Sequence, residues 1–180
     1  MRNDAQRNRE HLLATARTMT RDGVPPTHNE LAREAGVGVA TVYRHFPDSD
    51  AMMTALMDAP LADLVAVVER ARAEGRPEDA LRRLFLDALE LEIANPMVAH
   101  LVHAPETTSP EAQRVLATLA DGSRAVMARA RRARLVRPGF TGEDLCRLLL
   151  GIESAARGAS DPAAVARRYA EVVLAGLRIS

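Results

Sequence analysis

Apolar positions along the chain recur at intervals of three and four, and no stretch alternates for long enough to mark a strand. Leu12, Leu13, Ala16 and Met19 share one face of a predicted first helix over 5–21, which Gly23 closes. Pro25-Pro26 stops whatever precedes it, because proline lacks the N–H and clashes with the preceding turn. Thr27 and Glu30 have the spacing of a capping box, in which hydroxyl and carboxylate satisfy each other's backbone N–H groups. Leu31, Ala32 and Ala35 form the apolar face of the second helix, and Gly36 ends it where left-handed backbone costs least. Val37 plugs the corner, Gly38 caps, and residues 39–45 make a short third helix. A long fourth helix is predicted over 49–74, with Met52, Met53 and Leu56 beneath the short pair and Leu61, Leu64, Val65 and Val68 beyond. Pro60 lies inside it, at a cost of about 3 kcal/mol, and predicts a bend between Leu56 and Leu61.

The same period continues to the C-terminus. Pro77-Glu78-Asp79 is a helix start, with proline and acids in the first turn. Leu81, Leu84, Phe85, Ala88 and Leu89 follow as one stripe, ended by Asn95-Pro96. A short helix over 97–103, a loop over 105–110 and a long helix over 111–135 come next. Arg129, Arg131, Arg132, Arg134 and Arg137 read as a solvated face near that helix's C-terminus, where cations are favoured. Thr141 and Asp144 cap the next helix, whose stripe is Leu145, Leu148, Leu149, Ile152, Ala155 and Ala156. Asp161-Pro162 opens the last, with Val165, Tyr169, Val172, Val173 and Gly176 on one side. The chain is predicted to be all-α, with about nine helices.

Two short helices joined by a tight Gly-containing turn form the helix-turn-helix, whose second helix enters the major groove of DNA. Arginine pairs bidentately with guanine, so Arg44 is the candidate base reader. Thr41, Tyr43 and His45 suit phosphates, and Val39 and Ala40 suit thymine methyls. Arg7 and Thr27 complete the candidate contacts to double-stranded DNA. The wording Leu31-Ala32-x-x-Ala35-Gly36-Val37, then Thr41-Val42-Tyr43-Arg44-His45-Phe46-Pro47, resembles the TetR family of bacterial transcription regulators. The resemblance covers roughly the first third of the chain. It departs in having Ser49, between Asp48 and Asp50, where the family usually has a phosphate-contacting lysine, and Ala40 where glycine is frequent. It implies a homodimer, a repressor, and a small-molecule inducer bound among the middle helices.

Composition narrows the picture without changing it. The 180 residues are 47% hydrophobic and 27% charged, as in a globular protein. All 24 basic residues are arginines, balanced by 24 acids, so DNA affinity must come from a local patch rather than net charge. No apolar run approaches the roughly 20 residues a membrane helix needs, so no membrane partner is expected. MRNDAQRNRE is followed by no apolar signal region. Cys146 is the only cysteine, which excludes an internal disulfide and fits a reducing cytoplasm.

The expected organisation is a three-helix DNA-binding domain over 1–48 and a regulatory, ligand-binding and dimerisation domain over 49–180. Glu92 sits in the middle of an apolar stripe near a helix C-terminus, so it needs either a structural partner or a ligand. Candidate ligand contacts are Leu64, Val68, Phe85, Leu89, Glu92, Met97, His100, His103, Leu119 and Met127. They suit a mostly hydrophobic molecule carrying one donor or a positive charge. Candidate dimer contacts are Leu145, Leu148, Leu149, Ile152, Ala156, Val165, Tyr169, Val172, Val173 and Gly176. No catalytic residue, metal or cofactor is expected. Two alternatives stay open: a DNA-binding module without a ligand, and a small helical metal-dependent hydrolase using His100, His103 and Glu106.

Overall fold

The computed structural model describes residues 2–20, 24–103 and 109–177, apart from the side chains of Arg2, Asn3, Pro96, His100, His103 and Glu111. Among the described residues the chain forms nine helices and no strand element. They are α1 (Arg2–Met19), α2 (His28–Glu34), α3 (Val39–His45), α4 (Ser49–Ala73), α5 (Pro77–Ala94), α6 (Pro96–His103), α7 (Pro110–Arg132), α8 (Gly142–Ala156) and α9 (Pro162–Gly176). Two compact units result, Met1–Pro60 and Leu61–Ser180. The predicted terminator Gly23 and the loop over 105–108 lie outside the described residues.

Leu12, Leu13 and Ala16 of α1, Leu31 and Ala32 of α2, and Val42 of α3 meet Phe46 and the Met52, Ala55 and Leu56 face of α4 in the core of the first unit. Met19, Ala35 and Val37 pack at its edge. Phe46 precedes Pro47, whose ring disfavours helical backbone at the residue before it. Phe46 is accordingly extended (φ −135°, ψ 92°), which ends α3 and turns its ring into the core. Burial of such a side chain contributes about 1.5–3 kcal/mol. Asp48, which flanks the departure at Ser49, caps α4: its Oδ1 accepts the Ala51 N–H at 2.7 Å.

Helix α4 runs through Pro60 as a single 25-residue element, neither ended nor split there. Buried residues on both sides of the proline, Leu56 and Met57 before it and Leu64, Val67 and Val68 after, outweigh the loss of one hydrogen bond. One expectation is corrected here. By length and composition α4 is apolar enough to cross a membrane, with an 18-residue stretch of mean hydropathy 1.6. That stretch is 44% buried, and along the helix Leu56, Met57, Leu64, Val67 and Val68 are covered whereas Val65 is exposed.

In the second unit α5 is the central helix, packed against α6, α7, α8 and α9. Two pairs tie its outer side to α9: Arg82 with Glu171, at 2.7 and 2.5 Å, and Arg167 with Glu90. The arginine run closing α7 is more than a solvated face. Arg129 turns inward and donates to the carbonyls of Arg72 (3.1 Å), in the last turn of α4, and of Glu74 (2.6 Å) and Gly75 (3.0 Å) just beyond it. Gly122 of α7 lies so close to α4 that a Cβ there would stand 2.5 Å from Val68 Cγ1.

Candidate functional site

The helix-turn-helix is built from local rules. Thr27 Oγ1 accepts the Glu30 N–H at 3.3 Å, and Glu30 Oε2 accepts the Thr27 N–H at 2.9 Å and its hydroxyl at 2.7 Å. Those bonds, the backbone one foremost, hold the Glu30 carboxyl below the usual glutamate range. Gly36 takes φ +67°, and the Val37 N–H closes the turn on the Ala32 carbonyl at 3.0 Å. Gly38 caps α3.

Val42 is buried, which fixes the face that α3 presents. Val39, Ala40, Tyr43 and Arg44 are exposed, and Thr41 and His45 are half-buried. Arg44 lies back along its own helix: Nε donates to the Ala40 carbonyl at 3.3 Å and Nη2 to Thr41 Oγ1 at 3.0 Å. Arg7 is exposed on α1, 3.8 Å from the Asp4 carboxylate.

Four contacts of this unit were not legible in the pattern. His28, the first residue of α2, is only 8% exposed, and its Nε2 lies 2.8 Å from the Phe46 carbonyl. Its ring stacks on Tyr43 with centroids 4.3 Å apart and planes 10° from parallel. His11 Nε2 reaches the Ala35 carbonyl at 3.3 Å, and the Arg9 guanidinium sits 5.6 Å from the centre of the Phe46 ring. A histidine just after a capping threonine breaks no periodicity, so nothing marked it.

The second unit contains a cavity of about 780 Å³. Its walls come from Leu64, Val67 and Val68 of α4, Leu84, Ala88 and Glu92 of α5, Leu101 and Val102 of α6, one side of α7 from Gln113 to Arg124, and the start of α8. Leu64, Val68, Glu92 and Leu119, expected at a ligand, are brought together there. Phe85, Leu89, Met97 and Met127 are buried but are not among the lining residues. Periodicity tells which face of a helix is covered, not which part of that face its neighbours leave unfilled. The side chains of His100 and His103, and Glu106, lie outside the described residues. Among the described residues no group of three or more His, Cys, Asp or Glu is placed to hold a metal ion.

Glu92 is 2% exposed. Cys146 lines the same cavity, and its thiol pKa is pushed up by burial, then by the carboxylates of Glu92 and Glu143. Leu145 and Leu149 line it too. These two, with Ile152 and Ala156, were expected between copies of the chain; instead they are the inward stripe of α8, Leu145 and Leu149 each 4% exposed. A side chain already covered within the protomer has no surface left for a second copy. Val172 (68% exposed), Tyr169 and Gly176 of α9 do face outward, with Leu148, Val165 and Val173 half-buried.

Residues 12–56 match the family described as bacterial regulatory proteins, tetR family. Residues 76–179 match the one described as transcriptional regulator SbtR-like, C-terminal domain. The HTH-type transcriptional regulator SAB2452 of Staphylococcus aureus (strain bovine RF122 / ET3-1) is 26% identical over 107 residues, 58% of each chain. The chain spans little more than half the length of the curated relatives it matches. The ketosteroid transcriptional regulator KstR2 of Mycobacterium tuberculosis shares the fold, with a TM-score of 0.75 at 20% identity, covering 96% of this chain and 95% of that one. LfrR of Mycobacterium smegmatis, solved in complex with proflavine, has a TM-score of 0.64 at 25% identity, covering 97% and 98%.

Proposed function

This chain belongs to the TetR family of bacterial transcription regulators, and from that premise we propose that it is a cytoplasmic repressor, not an enzyme, released from operator DNA by a small molecule. The observation that carries the DNA reading is α3 itself: Val42 is buried, and Val39, Ala40, Tyr43 and Arg44 are turned outward on a capped, rigid pair of helices. In the major groove Arg44 exchanges its bonds to Ala40 and Thr41 for a bidentate pair with guanine O6 and N7. Thr41, Tyr43, His45, Thr27 and Arg7 hold phosphates, while Val39 and Ala40 meet thymine methyls. Residues 1–48 bind DNA in this reading, and residues 49–180 bind ligand and dimerise. A two-fold dimer asks for a pseudo-palindromic operator with half-sites a whole number of turns apart.

The cavity is what favours a ligand-responsive regulator over a module that only binds DNA. Its lining is mostly aliphatic with Glu92 deep among the apolar residues, which suits a hydrophobic ligand bearing a donor or a positive charge. Such a ligand must bind the DNA-incompetent arrangement more tightly, since equal affinity for both shifts nothing. Helix α4 is the transmitter, because it carries cavity residues Leu64, Val67 and Val68 and core residues Met52 and Leu56 on one element.

The test starts from an operator selected from random duplexes. Wild type should prefer it to a scrambled duplex, and Arg44→Ala should lose about 1–3 kcal/mol of that preference at one base pair. Equal anisotropy titrations on selected and scrambled DNA, across salt concentrations, would refute the reading.

A further inference from the structure

The structure assigns to His28 a role in DNA recognition: it is a positioning residue that holds Tyr43 of the recognition helix ready for a phosphate. The assignment rests on the reading of α3 as the DNA-contacting helix. A carbonyl oxygen only accepts, so the 2.8 Å contact with Phe46 places the hydrogen on His28 Nε2. That bond closes the open end of the motif. The turn at Gly36 joins the end of α2 to the start of α3, whereas His28 joins the start of α2 to the residue just past α3. Pro47, next in the chain, has no N–H to donate, and the buried Phe46 ring keeps the backbone there in place. The imidazole is thus held edge-on by a fixed carbonyl.

The flat face of that held ring lies against Tyr43, 4.3 Å between centroids and 10° between planes. Tyr43 is 51% exposed, and an aromatic side chain at such a site ordinarily samples several rotamers. Stacking on an immobile partner fixes χ1 and χ2 together, so the direction of the hydroxyl is set before DNA arrives. Immobilising a side chain at an interface otherwise counts against affinity. Removing the platform should therefore weaken operator binding about three- to ten-fold.

The experiment is a double-mutant cycle read by operator affinity and by phosphate-ethylation interference, with melting temperature recorded for every variant. Tyr43→Phe should weaken binding and abolish interference at one phosphate per half-site. His28→Gln keeps an N–H donor but loses the ring; it should fade interference at the same phosphate and weaken binding by the stated factor. Combined with Tyr43→Phe it should add little. His28→Phe keeps a flat, buried ring but loses the N–H to the Phe46 carbonyl, so it should melt lower than wild type while the interference pattern stays intact. If His28→Gln does not fold, His28→Phe decides: interference lost at the Tyr43 phosphate in the folded variant overturns the proposal. So does full multiplication of the two losses, which means His28 acts independently of Tyr43. Tyr43→Phe binding like wild type overturns it too, and with it the Tyr43 contact, while leaving recognition by Arg44 to its own test.

Discussion

Glu92 shows how one residue changes meaning between a sequence and a fold. On the helical wheel it is a carboxylate among leucines; in the structure it is 2% exposed and forms part of a cavity wall. Burial first, then the Glu92 and Glu143 carboxylates, keep the Cys146 thiol of the same wall protonated. Glu92→Gln removes the charge with almost no change of shape. Operator release by a panel of lipophilic amines should then weaken by about 1.5–3 kcal/mol, the worth of a hydrogen bond to a charged group. Operator affinity without amine should not change, because Glu92 lies in the unit Leu61–Ser180. Unaltered release by every amine that acts on wild type sinks the role of Glu92.

Among elements, the contact between α4 and α7 is sensitive to a single methyl at Gly122. The Cβ of Gly122→Ala would stand 2.5 Å from Val68 Cγ1 and 3.3 Å from Arg72 Cδ. Val68 is buried and β-branched, with one strongly preferred χ1 rotamer in a helix, so the contact is not relieved by a flexible side-chain end. Alanine gains about 1 kcal/mol in helix propensity, but forced separation of packed helices costs about 1–3 kcal/mol. Net destabilisation in urea melts is expected, together with a changed response to cavity ligands, because Val68 is part of the wall. A variant as stable as wild type would mean that α7 shifts freely. Arg129, gripping carbonyls at and just past the end of α4 from α7, argues that it does not.

At the scale of the whole molecule, the proposed dimer must use what each protomer leaves uncovered. That excludes Leu149, and leaves the outward side of α8 and α9. Gly151 and Gly176 have open space where a Cβ would stand, so each protomer tolerates a side chain there that a closely packed second copy would not. Gly151→Arg with Val172→Arg should leave the protomer's melting cooperative while giving monomers in sedimentation at micromolar concentration. Loss of the dimer should also cost most of the operator affinity, since two half-sites are then read separately. A wild type that sediments as a monomer refutes the arrangement.

What the sequence by itself determined is everything that closes within a turn or two. The capping boxes at Thr27 and Thr141 span three residues, the turn at Gly36 is set by its own φ, and the apolar stripes repeat every three or four positions. The helix-turn-helix is a string of such local rules, which is why it was legible to the residue. Its fine positioning was not, because His28 finds its acceptor 18 residues away, just past the end of another helix. Arg129 was read as a solvated end because its acceptor at Arg72 lies 57 residues back. The stripe of α8 was known to be buried, but a wheel has no information about what buries it: a second copy, its own protomer, or the edge of a cavity. Only the tertiary structure decides that, because it depends on where the surfaces of the other helices end.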